Sequence, residues 1–126
     1  MRHRFSLSPS NGGWTHTVLY AFTGSYADQD PRAGLFMDPA GNLYGTTFGS
    51  DNNLAPGNVF ELTPSNGGWT YTSLHTFTGG PDGADSLRTV MMDASGKLYG
   101  TAFTGGSSPS CFGGDPYCGV VWEITP

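Results

Sequence analysis

Residues 69–77, Trp-Thr-Tyr-Thr-Ser-Leu-His-Thr-Phe, alternate bulky and hydroxyl-bearing side chains with a period of two, the pattern of a β-strand. Strict alternation puts Trp69, Tyr71, Ser73, His75 and Phe77 on one face and Thr70, Thr72, Leu74 and Thr76 on the other. Leu74 on the hydroxyl-rich side predicts a sheet covered on both faces rather than one with a wet face. Residues 14–22 show the same pattern, and no window has a convincing helical period.

The strand recurs because the chain repeats. Asp38-x-x-Gly41-Asn42-Leu43-Tyr44-Gly45-Thr46-Thr47 returns as Asp93-x-x-Gly96-Lys97-Leu98-Tyr99-Gly100-Thr101-Ala102, at an offset of 55 residues (41 to 96). Phe5-Ser6-Leu7-Ser8-Pro9-Ser10-Asn11-Gly12-Gly13-Trp14 matches Phe60-Glu61-Leu62-Thr63-Pro64-Ser65-Asn66-Gly67-Gly68-Trp69 at the same offset. Trp122-Glu123-Ile124-Thr125-Pro126 is a third copy, and the spacing from 60 to 122 gives the second unit a seven-residue insertion. Each unit reads as four short strands: 33–38, 43–48, 58–63 and 69–77, with their equivalents in the other copies. An Asp-x-x-Gly turn joins the first two, since Asp accepts backbone N–H bonds and Gly takes the left-handed conformation. Ser-Asn-Gly-Gly is a hairpin signal between the last two. Gly45 and Gly100 mark close approach of the backbone of a neighbouring sheet.

Tandem four-stranded units that stack face to face predict an all-β fold, a β-propeller-like array of antiparallel blades. The 126 residues form one β-repeat domain, with an outer half-blade at 3–22, a blade at 33–77 and a partial blade at 87–126. Connections 23–33 and 78–88 cross from one blade to the next. About two units cannot close a ring, so the chain is expected to be a fragment of a longer array or to assemble with copies of itself, six blades from a trimer being the economical closure.

Composition narrows the partners. Twenty Gly and nine Pro suit many tight turns, and 37% hydrophobic with 12% charged residues argues against disorder. A net charge of −5 disfavours a nucleic-acid surface, and no apolar run is long enough to span a bilayer. Met1-Arg2-His3-Arg4 is basic, but the residues after it are no signal-peptide core.

Cys111 and Cys118 lie in the insertion. Their spacing is too wide for a CxxC site and no nearby His completes a zinc set, so a disulfide stapling the loop is the preferred reading. Such a short loop gains about 2–2.5 kcal/mol in the chain-entropy model, and a disulfide places the protein outside a reducing cytoplasm. His16 aligns with Tyr71 and His75 with Tyr20, which points to packing rather than metal binding or catalysis. Asp38 and Asp93 belong to turns, and Glu61 and Glu123 to edge or salt-bridged strand positions. The acidic connections around Asp28, Asp30, Asp82 and Asp85 make calcium a minor alternative, because their spacing does not fit an EF-hand loop. No nucleophile elbow, phosphate-cradling loop or ordered Ser-His-Asp set is present, so no catalytic residue is assigned, and a propeller enzyme ranks last. Trp14 and Trp69 follow the hairpin turns and are the candidate ligand-binding residues, because an indole face stacks on sugar C–H groups. Trp122 aligns with Phe60 and Phe5 and reads as core.

The run Asp-x-x-Gly-Asn-Leu-Tyr-Gly-Thr-Thr, a Gly-rich loop, then Gly57-Asn58-Val59-Phe60-Glu61-Leu62-Thr63-Pro64 resembles the GloVer tandem-repeat family of bacterial surface proteins with alternative C-terminal anchors. The resemblance covers nearly the whole chain. It implies extracellular or cell-surface display and propeller-like repeats, and supplies no catalytic residues; about two units, fewer than the family's pattern, agree with the expectation of a fragment. The expectation is a non-enzymatic, extracytoplasmic structural or adhesive module that self-associates through blade edges. The alternative is a lectin-like propeller binding glycans between blades. Neither reading involves nucleic acid or membrane insertion.

Overall fold

The computed structural model of the chain describes residues 3–24, 29–49, 56–107 and 118–126. Among them there is no helix, and the strands form three antiparallel sheets. The first sheet is the hairpin β1 (His3–Ser10) and β2 (Gly13–Ala21). The second contains β3 (Phe36–Met37), β4 (Leu43–Thr46), β5 (Asn58–Ser65) and β6 (Gly68–Thr76), side by side in chain order. The third contains β7 (Met91–Met92), β8 (Leu98–Ala102) and β9 (Val120–Ile124). None of the three closes on itself.

The turns follow from their residues. Gly12 and Gly67 take φ of 78° and 74°, which lets Ser10 pair with Gly13 and Ser65 with Gly68 at the ends of their hairpins. In the Asp turn, the Gly41 N–H donates to the Asp38 carbonyl at 3.0 Å, and Gly96 does the same to Asp93 at 3.1 Å. The strand expected at 33–38 contracts to Phe36–Met37, paired with Tyr44 and Leu43. Beyond β4, Thr47 N–H still reaches the Asn58 carbonyl at 2.9 Å, but Phe48 N–H donates to the Asp30 carbonyl at 2.9 Å and Gly49 N–H to the Gln29 carbonyl at 3.1 Å. Asp30 and its repeat equivalent Asp85 both adopt left-handed φ, 61° and 60°. The strained conformation therefore belongs to the repeat and sets the course of both connections.

Strict alternation in β6 fails at one point. The β5–β6 register shifts between Val59 and Phe60, Val59 facing His75 and Phe60 facing Ser73, so Leu74 is an extra residue. Trp69 and Tyr71 stay on one face with Phe22, Phe60 and Leu62, whereas Leu74 joins the opposite cluster and Phe77 turns toward Trp122, ring centroids 6.1 Å apart. The same shift between Arg4 and Phe5 lets Leu19, Tyr20 and Phe22 of the first sheet all reach the second. The close neighbours of Gly45 and Gly100 also differ from expectation. A Cβ on Gly45 would meet the Phe60 ring at 2.7 Å, and one on Gly100 the Trp122 ring at 2.2 Å. Each glycine faces that ring directly across the ladder, so it makes room for a flat aromatic on the adjacent strand of its own sheet, not for another sheet's backbone.

The second sheet is the middle layer. One face packs Leu43, Phe60 and Leu62 against Leu19, Tyr20 and Phe22. The other sets Tyr44, Phe36 and Leu74 against Val90, Leu98, Trp122 and Ile124 of the third sheet's segment. Every residue of β4 is buried. The outer sheets each keep one open face: Phe5 is 53% exposed where its equivalent Phe60 is 0%, and Val121 is 80% exposed where Val59 is 0%. The covering layer, not the residue type, sets the value of each position. Phe60→Ala should therefore destabilise the chain by about 3–5 kcal/mol, and Phe5→Ala by less than about 1 kcal/mol, although both sit at one repeat position. Urea unfolding of the two variants measures this; equal losses would mean that the first sheet's outer face is covered.

Candidate functional site

Asp38 does two jobs. Its Oδ1 accepts the backbone N–H of Ala40 at 3.0 Å and of Asn42 at 2.9 Å, which is the predicted turn role. Its Oδ2 accepts the Asn42 side-chain amide at 3.0 Å and the Tyr44 hydroxyl at 3.1 Å. The repeat builds the arrangement again: Asp93 Oδ1 accepts from the N–H groups of Ser95 and Lys97, and its Oδ2 accepts the Tyr99 hydroxyl at 2.9 Å. Directly across the ladder, Tyr44 faces Glu61 and Tyr99 faces Glu123. Each glutamate meets a tyrosine hydroxyl, and Glu123 takes the expected edge position, on β9. Every copy thus joins a turn aspartate, a strand tyrosine and a glutamate of the next strand. The sequence signal was the constant Asp-to-Tyr spacing, 38 to 44 and 93 to 99, with the glutamate in register.

Electrostatics follow from one proton shared between two acceptors. Burial, then hydrogen bonds with Glu61 and Asp38, pushes the Tyr44 phenol well above its usual range. Tyr99 is pushed up to about 12, first by its bond to Asp93. Hydrogen bonds, led by that from Ser95, hold Asp93 down at about 2. Asp38 is lowered too, burial being outweighed by the bonds from Asn42, Tyr44 and Ala40. The Tyr44 hydroxyl donates to Asp38 at 3.1 Å, and Glu61, whose carboxylate has acceptor sites beyond the one facing that hydroxyl, lines a cavity of about 260 Å³ between the second and third sheets. Leu74, Leu98, Ile124 and Pro126 supply its apolar walls.

A second cavity, of about 270 Å³, runs along β9 and is lined by Val120–Ile124 together with His75, Phe77, Pro81 and Asp82. His75 Nε2 lies 2.9 Å from Asp82 Oδ2, and Asp82 also accepts the Thr78 hydroxyl and backbone N–H, so the imidazole is held at the cavity wall. Those bonds hold the Asp82 carboxyl below its usual range against the opposing effect of burial. Both histidines that align with tyrosines pack on aromatics, His16 at 5.0 Å from Phe5 and His75 at 5.1 Å from Phe77.

The two tryptophans nominated for ligand binding are not brought together. Trp14 is 66% exposed on β2, whereas Trp69 is half-buried against the cluster of Phe22 and Phe60. Neither lines the two cavities. Cys111 and Asp28 lie outside the described residues; Cys118 is described, and no free thiol occurs among the described residues. The acidic connections do not converge: Asp30 pairs with Arg32 at 2.7 Å, Asp85 accepts the Thr104 hydroxyl at 3.1 Å, and Asp82 is held by His75 and Thr78. Among the described residues no group of three or more His, Cys, Asp or Glu side chains is placed to hold a metal.

No protein-family model, curated protein or solved structure matches the chain.

The node has a defined pH signature. An aspartate whose folded pKa is depressed stabilises fully above its unfolded value, 3.8, and loses that contribution as pH falls through about 2. A tyrosine raised to about 12 contributes below 10 and loses its contribution as pH rises from there to 12. Asp93→Asn should therefore lower the melting temperature at pH 7 and make little difference near pH 2. Tyr44→Phe, in the buried copy, should cost about 1–2 kcal/mol at pH 7. Thermal melts across pH test both; a pH-independent Asp93→Asn effect would show that the carboxylate is not held by these bonds.

Proposed function

We propose that this chain is a non-enzymatic, extracytoplasmic repeat module, blades of a β-propeller-like stack, that acts structurally or adhesively by associating with further copies of its own repeat. One observation supports this above the others. Positions that are fully buried at the middle sheet, Phe60, Leu62 and Val59, are left more than half or four-fifths open at the two ends, as Phe5, Leu7 and Val121. Met37, Met91 and Phe103 are further exposed apolar side chains. The ends carry opposite faces of the same layered interface, so head-to-tail contact reproduces packing that the chain already makes internally. The resemblance to GloVer repeats agrees with this, and a Cys111–Cys118 disulfide would suit an oxidising, extracellular or cell-surface setting.

A second reading, glycan binding between sheets, draws on the cavity beside Tyr44, where Glu61 offers an acceptor for sugar hydroxyls next to apolar walls. A glycan array with Glu61→Gln and Trp14→Ala variants separates that site from stacking on the exposed indole.

The preferred reading predicts a mass that rises with concentration in sedimentation or light scattering. Val121→Lys, or Phe5 and Leu7 both changed to Ser, should shift the protein toward monomer without lowering its melting temperature in dilute solution. A monomer at every concentration, with one cooperative melt, would overturn it.

A further inference from the structure

The internal repeat shows what the cavity along β9 is shaped for. Between the first and second sheets, the Tyr71 ring of β6 is stacked on Tyr20 at 4.4 Å, 5.6 Å from Phe60 and edge-on to Phe22 at 6.0 Å. The repeat carries Tyr20 onto His75, Phe22 onto Phe77 and Phe60 onto Trp122. These three residues line the 270 Å³ cavity between the second and third sheets. No strand pairs with the outer edge of β9 among the described residues. The cavity therefore lies where the repeat places the ring of a fourth strand.

The edge of β9 is equally specific. Thr47 N–H donates to the Asn58 carbonyl, and Phe77 N–H to the Gly57 carbonyl. Alternation in an antiparallel ladder then directs Asn58, Phe60 and Leu62 toward β4, and Val59 and Glu61 toward β6. Carried onto β9, the same rule leaves the main-chain groups of Val121 and Glu123 on the open edge.

We infer that this edge and cavity receive the Gly13–Ala21 strand of a second copy of the chain, whose His16 ring enters among His75, Phe77 and Trp122. This deepens the self-association reading above and rests on it. In its own chain that strand is held by β1, which occupies the same repeat position as β9, so β9 offers it the same pattern. The register follows from the β1–β2 ladder: Trp122 opposite Val18, Ile124 opposite His16 and Pro126 opposite Trp14. Two differences distinguish β9 from β1. Arg4 of β1 is half-buried, donating one guanidinium N–H to the Ala33 carbonyl at 2.8 Å and lying 5.9 Å from the Phe60 ring centre, but its Nε is buried unpaired; the repeat places Val121 of β9 at that position, as it places the fully buried Val59. Asn58, which donates to the Tyr71 hydroxyl at 2.7 Å, is Val120 in β9, and His16 has no hydroxyl to satisfy. The exchange continues the stack: β9 replaces β1, and the receiving sheet gains its fourth strand.

Amide hydrogen exchange of the full chain, dilute and concentrated, tests this. Val121 and Glu123 should gain at least about tenfold protection on association. A peptide of residues 12–23 should bind the full chain, and the same peptide with His16→Ala about tenfold more weakly. Association with Val121 and Glu123 exchanging freely overturns the strand exchange and leaves self-association standing. Peptide binding by a chain that never self-associates overturns the second copy as occupant, and absence of both sinks the two readings together.

Discussion

A sheet with apolar side chains on both faces must be covered on both, and that requirement organises this chain. The middle sheet satisfies it by taking one layer from the residues before it and one from those after it. Neither layer is independently complete: a two-stranded hairpin is marginal alone, and the three-stranded sheet keeps an edge that no described strand pairs. Each outer sheet is consequently ordered by the middle one. Removing volume at Phe60 or Leu62 would loosen the first hairpin along with the middle sheet, since Phe22 packs edge-on to Phe60 at 5.3 Å and Tyr20 packs against the same cluster.

The local devices that hold the layers are economical. One aspartate per unit closes the turn, fixes the next strand's tyrosine and sets its ionisation. Because the tyrosine is buried in one copy and more open in the other, the same node serves as an interior hydrogen bond at Tyr44 and a surface feature at Tyr99. Its proton can satisfy only one of two carboxylates, so the glutamate across the ladder keeps acceptor capacity wherever a cleft reaches it. Placement between layers, rather than residue identity, decides whether that capacity meets a ligand.

Much of the architecture was legible because it rests on short-range chemistry. The Asn-Gly hairpins, the Asp-x-x-Gly turns and the order of the strands follow from glycine conformation, side-chain capping and period-two pattern. What escaped the pattern depended on one extra residue or on distant partners. Leu74 is a bulge, and a single inserted residue reverses every face after it, so His75 and Phe77 could not be placed by counting. The role of Gly45 required knowing that Phe60 lies across from it, which is register information. The Asp–Tyr half of the node was implicit in a constant spacing; the glutamate's part needed the ladder. Trp14 and Trp69 share a motif but not an environment, because only Trp69 has a layer to pack against.

Differences between copies then carry more information than the repeat itself. Where the units agree, as in Asp38 and Asp93 or Tyr44 and Tyr99, the shared residues explain folding. Among the places where they diverge is one cleft, where Tyr20 becomes His75, Phe60 becomes Trp122 and Asn58 becomes Val120. That cleft borders the open edge of β9, and its lining differs from the internal site that holds the Tyr71 ring, so the group that suits it differs too. A ring without a hydroxyl, beside a valine in place of an amide donor, satisfies that fit with groups the chain itself provides.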